Sequence, residues 1–194
     1  MRRAGLVTLV VLALAWSEAS ALTSAEHRVR DPELFDAETG YRLLRPRAPT
    51  PDDIPGAARI SALEAKRAAA DGAVLIDVFA ALRSLYYEFD GTWLVEKEHL
   101  SLPGAIWLPE VGRGALSAEI DRYFRDNLAL VTDGDVAMPL VIFCVADCWM
   151  SWNAAQRAQS YGYRNVLWFR EGTDGWLDAG FELEPVQPVP VAVD

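Results

Sequence analysis

Short apolar runs along the chain alternate with segments that have the periodicity of amphipathic helices. Each run is four to six residues long and almost wholly apolar, which is typical of a strand buried on both faces. The predicted strands span residues 73–78, 105–108, 139–143 and 165–169. Strands that alternate with helices predict the α/β class, with a mostly parallel sheet and helices on both faces.

The helical segments are marked by their caps and by their apolar faces. Ser61 and Glu64 have the spacing of a capping box at the start of a predicted helix over 62–70. In a second predicted helix, 117–130, the apolar residues fall on one face. Two further helices are predicted over 151–161 and 174–179.

The segments between these elements indicate the domain organisation. Residues 22–57 include five prolines and predict an irregular lead-in that lies over the domain. Residues 58–184 form one predicted domain, in which 79–102 is a decorated loop without a clean period. Residues 185–194 predict an extended, proline-rich tail.

Residues 1–21 have the layout of a secretory signal peptide. A basic start is followed by an uncharged apolar run and then by small residues that end in Ala-Ser-Ala. The run is too short to span a bilayer comfortably, because a spanning helix needs roughly 20 apolar residues. We therefore predict export, with cleavage after Ala21 and no membrane attachment afterwards.

Charge and composition narrow the set of partners. The formal net charge of −10 argues against nucleic acid or an anionic membrane as a partner. The chain has two cysteines, Cys144 and Cys148, whose spacing is not that of zinc ligands, and its two histidines lie far from them in sequence. We therefore predict no metal.

The candidate chemistry lies at Cys144, which follows the predicted strand 139–143 and precedes a helix. The carboxyl ends of parallel strands are where open α/β sheets bind ligands. Backbone N–H groups and the helix dipole are expected to lower the pKa of Cys144, whereas Asp147 opposes them. Cys144 is the predicted nucleophile, and the predicted substrate-binding loop comprises Val145, Ala146, Asp147, Trp149, Met150 and Ser151.

Several roles around Cys144 stay open at this stage. Cys148 either resolves an adduct on Cys144 or forms a static local bridge with it. Trp149 is assigned equally to burial and to an exposed docking role. Three residues elsewhere are candidates for support of the site: Asp77, Asn153 and Glu171.

The cysteine loop and its surroundings resemble the rhodanese family. Residues 75–78 resemble the rhodanese strand that ends in aspartate, and His99 with 103–105 and Pro109 resembles the H-x-P-G-A-x-x-x-P stretch, with two extra residues after the histidine. Asn165-Val166 with Glu171-Gly172 and Trp176 resembles the closing stretch. The resemblance implies a rhodanese-like fold and sulfurtransferase chemistry.

A closer resemblance is to the PQQ-dependent catabolism-associated CXXCW motif proteins. It rests on residues 148–155, 171–176, 39–42 and 47–49, although three residues separate the cysteines here and the motif has two. The resemblance implies a periplasmic location and an association with alcohol oxidation by PQQ enzymes. PQQ enters only through that association, and no bound cofactor is expected.

Two functions follow as hypotheses. In the first, Cys144 handles a sulfane sulfur or a disulfide from a small sulfur-containing donor or a thiol protein, and Cys148 resolves it. In the second, the cysteines are bridged and the domain is a non-catalytic module that docks through Trp149 onto a periplasmic quinoprotein or cytochrome.

The sequence also argues against thiosulfate as the donor. The loop has no basic residue to attract a dianion. The distant arginines that could compensate are Arg83, Arg113 and Arg170.

Overall fold

A computed structural model describes residues 22–81 and 85–193 of the chain. The predicted signal peptide, 1–21, and Arg83 lie outside the described residues. No helix in the described ranges is long and apolar enough to cross a membrane.

Five strands form one parallel sheet in the order β1-β6-β5-β2-β4. Two further strands, β3 and β7, form a separate antiparallel ribbon. The strands are β1 (Ala58–Arg59), β2 (Val74–Asp77), β3 (His99–Ser101), β4 (Ile106–Trp107), β5 (Leu140–Phe143), β6 (Val166–Phe169) and β7 (Glu184–Val186). All four predicted strands are present, and β5 lies at the centre of the sheet with all four residues buried.

Helices cover both faces of the sheet, because successive strand residues point to opposite sides. Ile142 of β5 packs in one core cluster with the apolar faces of α3 and α4, whereas Val141 packs in a second cluster with α2 and α5. The helices are α1 (Ser24–Arg30), α2 (Ala62–Ala70), α3 (Ala118–Val131), α4 (Trp149–Ser160) and α5 (Gly172–Asp178). The predicted α/β class with a mostly parallel sheet is confirmed.

The lead-in is more regular than its prolines indicate. It contains α1 and a single 3-10 turn at Pro32–Leu34, neither of which was predicted. Thr23 and Glu26 form a capping box at the start of α1, so the sequence carried the signal for this helix. The predicted extended tail includes β7, and further along it the carbonyl of Val189 accepts hydrogen bonds from Trp93 and Tyr123.

The capping box of α2 provides a test of local stability. The Ser61 hydroxyl accepts a hydrogen bond from the Glu64 N–H, and the Glu64 carboxylate accepts one from the Ser61 N–H at 2.8 Å. Ser61→Ala is expected to lower the free energy of unfolding by about 1 kcal/mol, because one helix N–H loses its acceptor. Urea unfolding measures this loss, and Ser61→Asp, which keeps an acceptor, is the matched control.

Candidate active site

The two cysteines lie at the ends of different elements. Cys144 directly follows β5, and its side chain is fully buried. Cys148 is the N-cap residue of α4, which begins at Trp149, two residues before the predicted start. The helix N-terminus that the sequence analysis expected next to Cys144 therefore lies at Cys148.

The lead-in completes the cysteine loop. Arg47 pairs with Cys148 in an antiparallel bridge, and the Ala48 N–H donates to the Asp147 carbonyl at 3.0 Å. The Trp149 N–H donates to the Pro46 carbonyl at 2.8 Å, which satisfies one of the free N–H groups at the start of α4. Residues 46–48 thus form one wall of the site.

The environment of Cys148 favours its thiolate. The thiol of Cys144 donates a hydrogen bond to it, and this is the largest of the effects that lower the pKa of Cys148 to about 7. The backbone N–H of Met150 and the charge of Arg47 act in the same direction, and together with the Cys144 hydrogen bond they outweigh the effect of burial. Hydrogen-bond donors and positive charge stabilise the Cys148 thiolate here, as they stabilise cysteine thiolates at other helix N-termini.

The environment of Cys144 has the opposite effect. Burial raises the pKa of Cys144 above its ordinary value, and the hydrogen bond to Cys148 and the charges of Cys148 and Asp77 raise it further. The sequence-based expectation of a lowered pKa at Cys144 is therefore wrong. The end of a buried strand desolvates this thiol more than the loop amides stabilise its anion.

Contacts from α5 hold the loop between the cysteines. The Asp174 carboxylate accepts a hydrogen bond from the Ala146 N–H at 2.7 Å, and the Thr173 N–H donates to the Cys144 carbonyl at 3.0 Å. Gly172 has a φ of 53°, and a Cβ at this position would collide with the Cys144 carbonyl oxygen. Asp147 is exposed and also adopts a left-handed conformation, with a φ of 51°.

A pocket of about 470 Å³ opens beside this loop. Cys148 lines it, whereas Cys144 does not. Its apolar lining residues are Pro46, Phe79, Ala80, Val145 and Met150, and its charged lining residues are Arg47, Arg113 and Asp174. The volume lies within the ordinary range for small-molecule sites.

Trp149 is a core residue. Its side chain is fully buried and packs edge-to-face against Phe35 and His27 of the lead-in, with ring centroids 5.5 and 5.0 Å away. The guanidinium of Arg42 lies 4.7 Å from its ring centroid. The alternative of an exposed docking side chain is therefore excluded, and the tryptophan anchors the lead-in instead.

Ser151 also lies outside the pocket. It is buried in α4, where its hydroxyl donates to the Cys148 carbonyl at 3.1 Å and accepts from the Trp168 indole at 3.0 Å. Of the six residues predicted for the substrate-binding loop, Val145 and Met150 line the pocket.

The three predicted supporting residues differ in their relation to the cysteines. The buried Asp77 carboxylate accepts hydrogen bonds from Ser101 at 2.6 Å and His99 at 2.8 Å, and its charge acts on Cys144. Asn153 links Arg42 to Gly112 by hydrogen bonds to backbone groups of both. Glu171 forms an ion pair with Arg59 at 2.6 Å and does not line the pocket.

The structure supplies the positive charge that the loop lacks. Arg113 lines the pocket while its Nε pairs with the Glu110 carboxylate at 2.6 Å, and Arg47 lies beside Cys148. Arg170 instead donates to Thr50 at 2.9 Å. Arg47 is the residue that sequence reasoning missed as a site group, because only the folded lead-in brings it to the loop.

Arg47→Gln is expected to raise the pKa of Cys148, because it removes a charge that stabilises the thiolate. Below pH 7 a smaller fraction of Cys148 is then ionised, so its alkylation rate at pH 6.5 falls about threefold. The rate with iodoacetamide from pH 5 to 9 measures this change. Arg67→Gln, on the exposed side of α2, is the control and leaves the profile in place.

The chain matches no family model and no curated protein. Among solved structures it is similar to a thiosulfate sulfurtransferase from Pseudomonas aeruginosa, at 20% identity over 71% of this chain and a TM-score of 0.45; the match covers 22% of that enzyme. It is also similar to a polysulfide-sulfur transferase from Wolinella succinogenes, at 14% identity over 66% of this chain and 79% of that one, with a TM-score of 0.41.

A third similar structure is a rhodanese-like domain from Anabaena sp.. Its identity is 16%, the match covers 70% of this chain and 86% of that one, and the TM-score is 0.42. The activity of this chain is argued below from its own site.

Proposed function

We propose that the chain is an exported, rhodanese-like thiol protein that accepts a sulfane sulfur or a disulfide at Cys148 and resolves the adduct with Cys144. One observation carries the proposal: Cys148 lines the pocket and receives a hydrogen bond from a buried second thiol. A pKa of about 7 leaves Cys148 about half ionised at pH 7, whereas an ordinary cysteine is only about 3% ionised.

The chemistry takes two steps. The Cys148 thiolate attacks the outer sulfur of the donor, and the bond to the leaving group breaks with its electron pair, which gives a persulfide on Cys148. An acceptor thiol then removes the outer sulfur. Without an acceptor, Cys144 attacks the inner sulfur, hydrosulfide leaves with the Cys144 proton, and a Cys144–Cys148 disulfide remains for an external dithiol to reduce.

This proposal exchanges the two roles assigned from the sequence, where Cys144 attacks and Cys148 resolves. The reason is access, since Cys148 lines the pocket, although only 2% of it is exposed, whereas Cys144 is fully buried and does not line it. The second hypothesis, a bridged module that docks through Trp149, has no support in a fully buried tryptophan.

We further propose that the protein works in the periplasm alongside PQQ-dependent alcohol oxidation. The layout of residues 1–21 and the resemblance to the CXXCW motif proteins support this location and association. Fractionation of a Gram-negative host tests the location. A periplasmic product whose intact mass begins at Leu22 is expected, and a full-length product in the cytoplasm would contradict export.

The sulfur-carrier function is tested by intact mass. The fully reduced protein is offered thiosulfate, a polysulfide and an organic persulfide in separate reactions. A gain of one sulfur atom, located at Cys148 by fragmentation, is the expected result for at least one donor. No gain from any donor would contradict the function.

A further inference from the structure

The wall of the pocket is mostly apolar. Pro46 and Met150 approach it from the lead-in and from α4, and Phe79 with Ala80 approaches it from the segment after β2. Val145 adds a branched side chain from the cysteine loop. A donor that is polar throughout would lose its hydration against these groups without replacement, whereas an apolar group would gain by leaving water.

The charge of the pocket favours an anion of low charge. Arg47 and Arg113 line it together with Asp174 and the Cys148 thiolate, so the formal charges of the lining sum to zero when the site is ready to react. Glu110 further offsets Arg113 through its ion pair at 2.6 Å. No net positive charge then remains to compensate a donor, so a dianion brings twice the uncompensated charge of a monoanion against apolar walls.

We propose that the pocket selects organic sulfur donors, in which an apolar group is attached to a monoanionic head that carries the transferable sulfur, over inorganic thiosulfate. The inference rests on the proposed function and specifies its substrate class. Organic thiosulfonates, R–SO₂–S⁻, are the probes that have this combination. The two arginines bind the head, and the apolar wall binds R.

The reaction balances with this class of donor. The Cys148 thiolate attacks the terminal sulfur of R–SO₂–S⁻, and the S–S bond of the donor breaks. The electron pair leaves on the sulfinate R–SO₂⁻, while the new S–S bond makes the persulfide anion on Cys148. No proton moves, and the total charge is the same on both sides.

Three donors separate the effect of donor charge on kcat/KM from the effect of apolar contact with the pocket wall. Thiosulfate is a dianion with no apolar group, methanethiosulfonate is a monoanion with one methyl, and benzenethiosulfonate is a monoanion with a phenyl ring. We measure kcat/KM for each from the sulfite or sulfinate released, with excess dithiol as acceptor, and divide it by the rate of the same donor with a small free thiolate. The normalised values are expected to rise in that order, by about tenfold or more at each step.

Matched variants identify the groups that select the donor. Met150→Gln and Val145→Thr keep side-chain volume but add polarity, so each is expected to lower the ratio of benzenethiosulfonate to thiosulfate about tenfold. Arg47→Gln is expected to lower kcat/KM for both donors by a similar factor, because both present an anion. Leu63→Gln on the exposed face of α2 is the control that leaves the ratio unchanged.

The outcomes of this experiment test the donor preference separately from the proposed function on which it rests. Equal normalised values for the three donors, or a preference for thiosulfate, would overturn the selection of organic donors and leave the sulfur carrier intact. Equal values for the two thiosulfonates would overturn the role of the apolar wall. Failure of every donor to load Cys148 would contradict the proposed function itself.

Discussion

Replacing Cys148 by serine is expected to abolish the fast thiol reaction of the protein at pH 7. The remaining thiol, Cys144, is fully buried, and burial raises its pKa, so alkylation by iodoacetamide falls at least about 100-fold. Sulfur uptake from any donor disappears with it. The rate of alkylation under native conditions and the intact mass after donor treatment measure both effects.

Two substitutions at Cys144 provide the controls. Cys144→Ser keeps a hydroxyl that donates to the Cys148 thiolate, so fast alkylation remains. Cys144→Ala removes this donor, which is the largest cause of the lowered pKa, and the Cys148 reaction at pH 7 slows. If Cys148→Ser stayed fast while Cys144→Ser became inert, the roles would be those first assigned from the sequence.

Trp149→Ala is expected to be the most destabilising single substitution near the site. It removes a fully buried indole that packs against Phe35 and His27 and donates to the Pro49 carbonyl at 3.2 Å. The loss is about 3–5 kcal/mol in the free energy of unfolding. Urea unfolding measures it, and Leu177→Ala, at a half-exposed position of α5, is the control with a change within about 0.5 kcal/mol.

Trp149→Ala is also expected to change the reactivity of Cys148. Loosening of the lead-in moves Arg47 away from Cys148 and raises the pKa of that thiol, so the alkylation profile moves to higher pH. A variant that unfolds readily but keeps the wild-type profile would show that the lead-in does not tune the cysteine. An exposed docking tryptophan, in contrast, would leave stability almost unchanged on removal.

Most of the sheet and four helices follow from local signals. The four apolar runs became β2, β4, β5 and β6, and the capping box at Ser61 marks the start of α2. The two-residue strand β1 was missed because Ala58–Arg59 has no apolar pattern, and its pairing with β6 depends on the whole sheet. The start of α4 was predicted two residues late, because a distant carbonyl, Pro46, satisfies the Trp149 N–H.

The proposed function keeps the cysteine loop that the sequence indicated as the site and exchanges the roles of its two thiols. The sequence located Cys144 at the carboxyl end of a parallel strand, which the structure confirms. Which thiol ionises depends on the position of Cys148 as the N-cap of α4, on the burial of Cys144 and on Arg47 of the lead-in. The burial of Cys144 and the approach of Arg47 depend on segments distant in sequence, and no local pattern encodes them.

The central claim is that Cys148, supported by Cys144, is the thiolate of this site. The most direct measurement is the pH titration of ¹³Cβ-labelled cysteine by NMR, since the chain has two cysteines and Cys144→Ser assigns their signals. We predict that the Cys148 signal titrates with a midpoint of about 7 and that the Cys144 signal stays that of a thiol well above that pH. A Cys144 signal that titrates first, or a Cys148 midpoint at the ordinary value of about 8.5, would contradict the account.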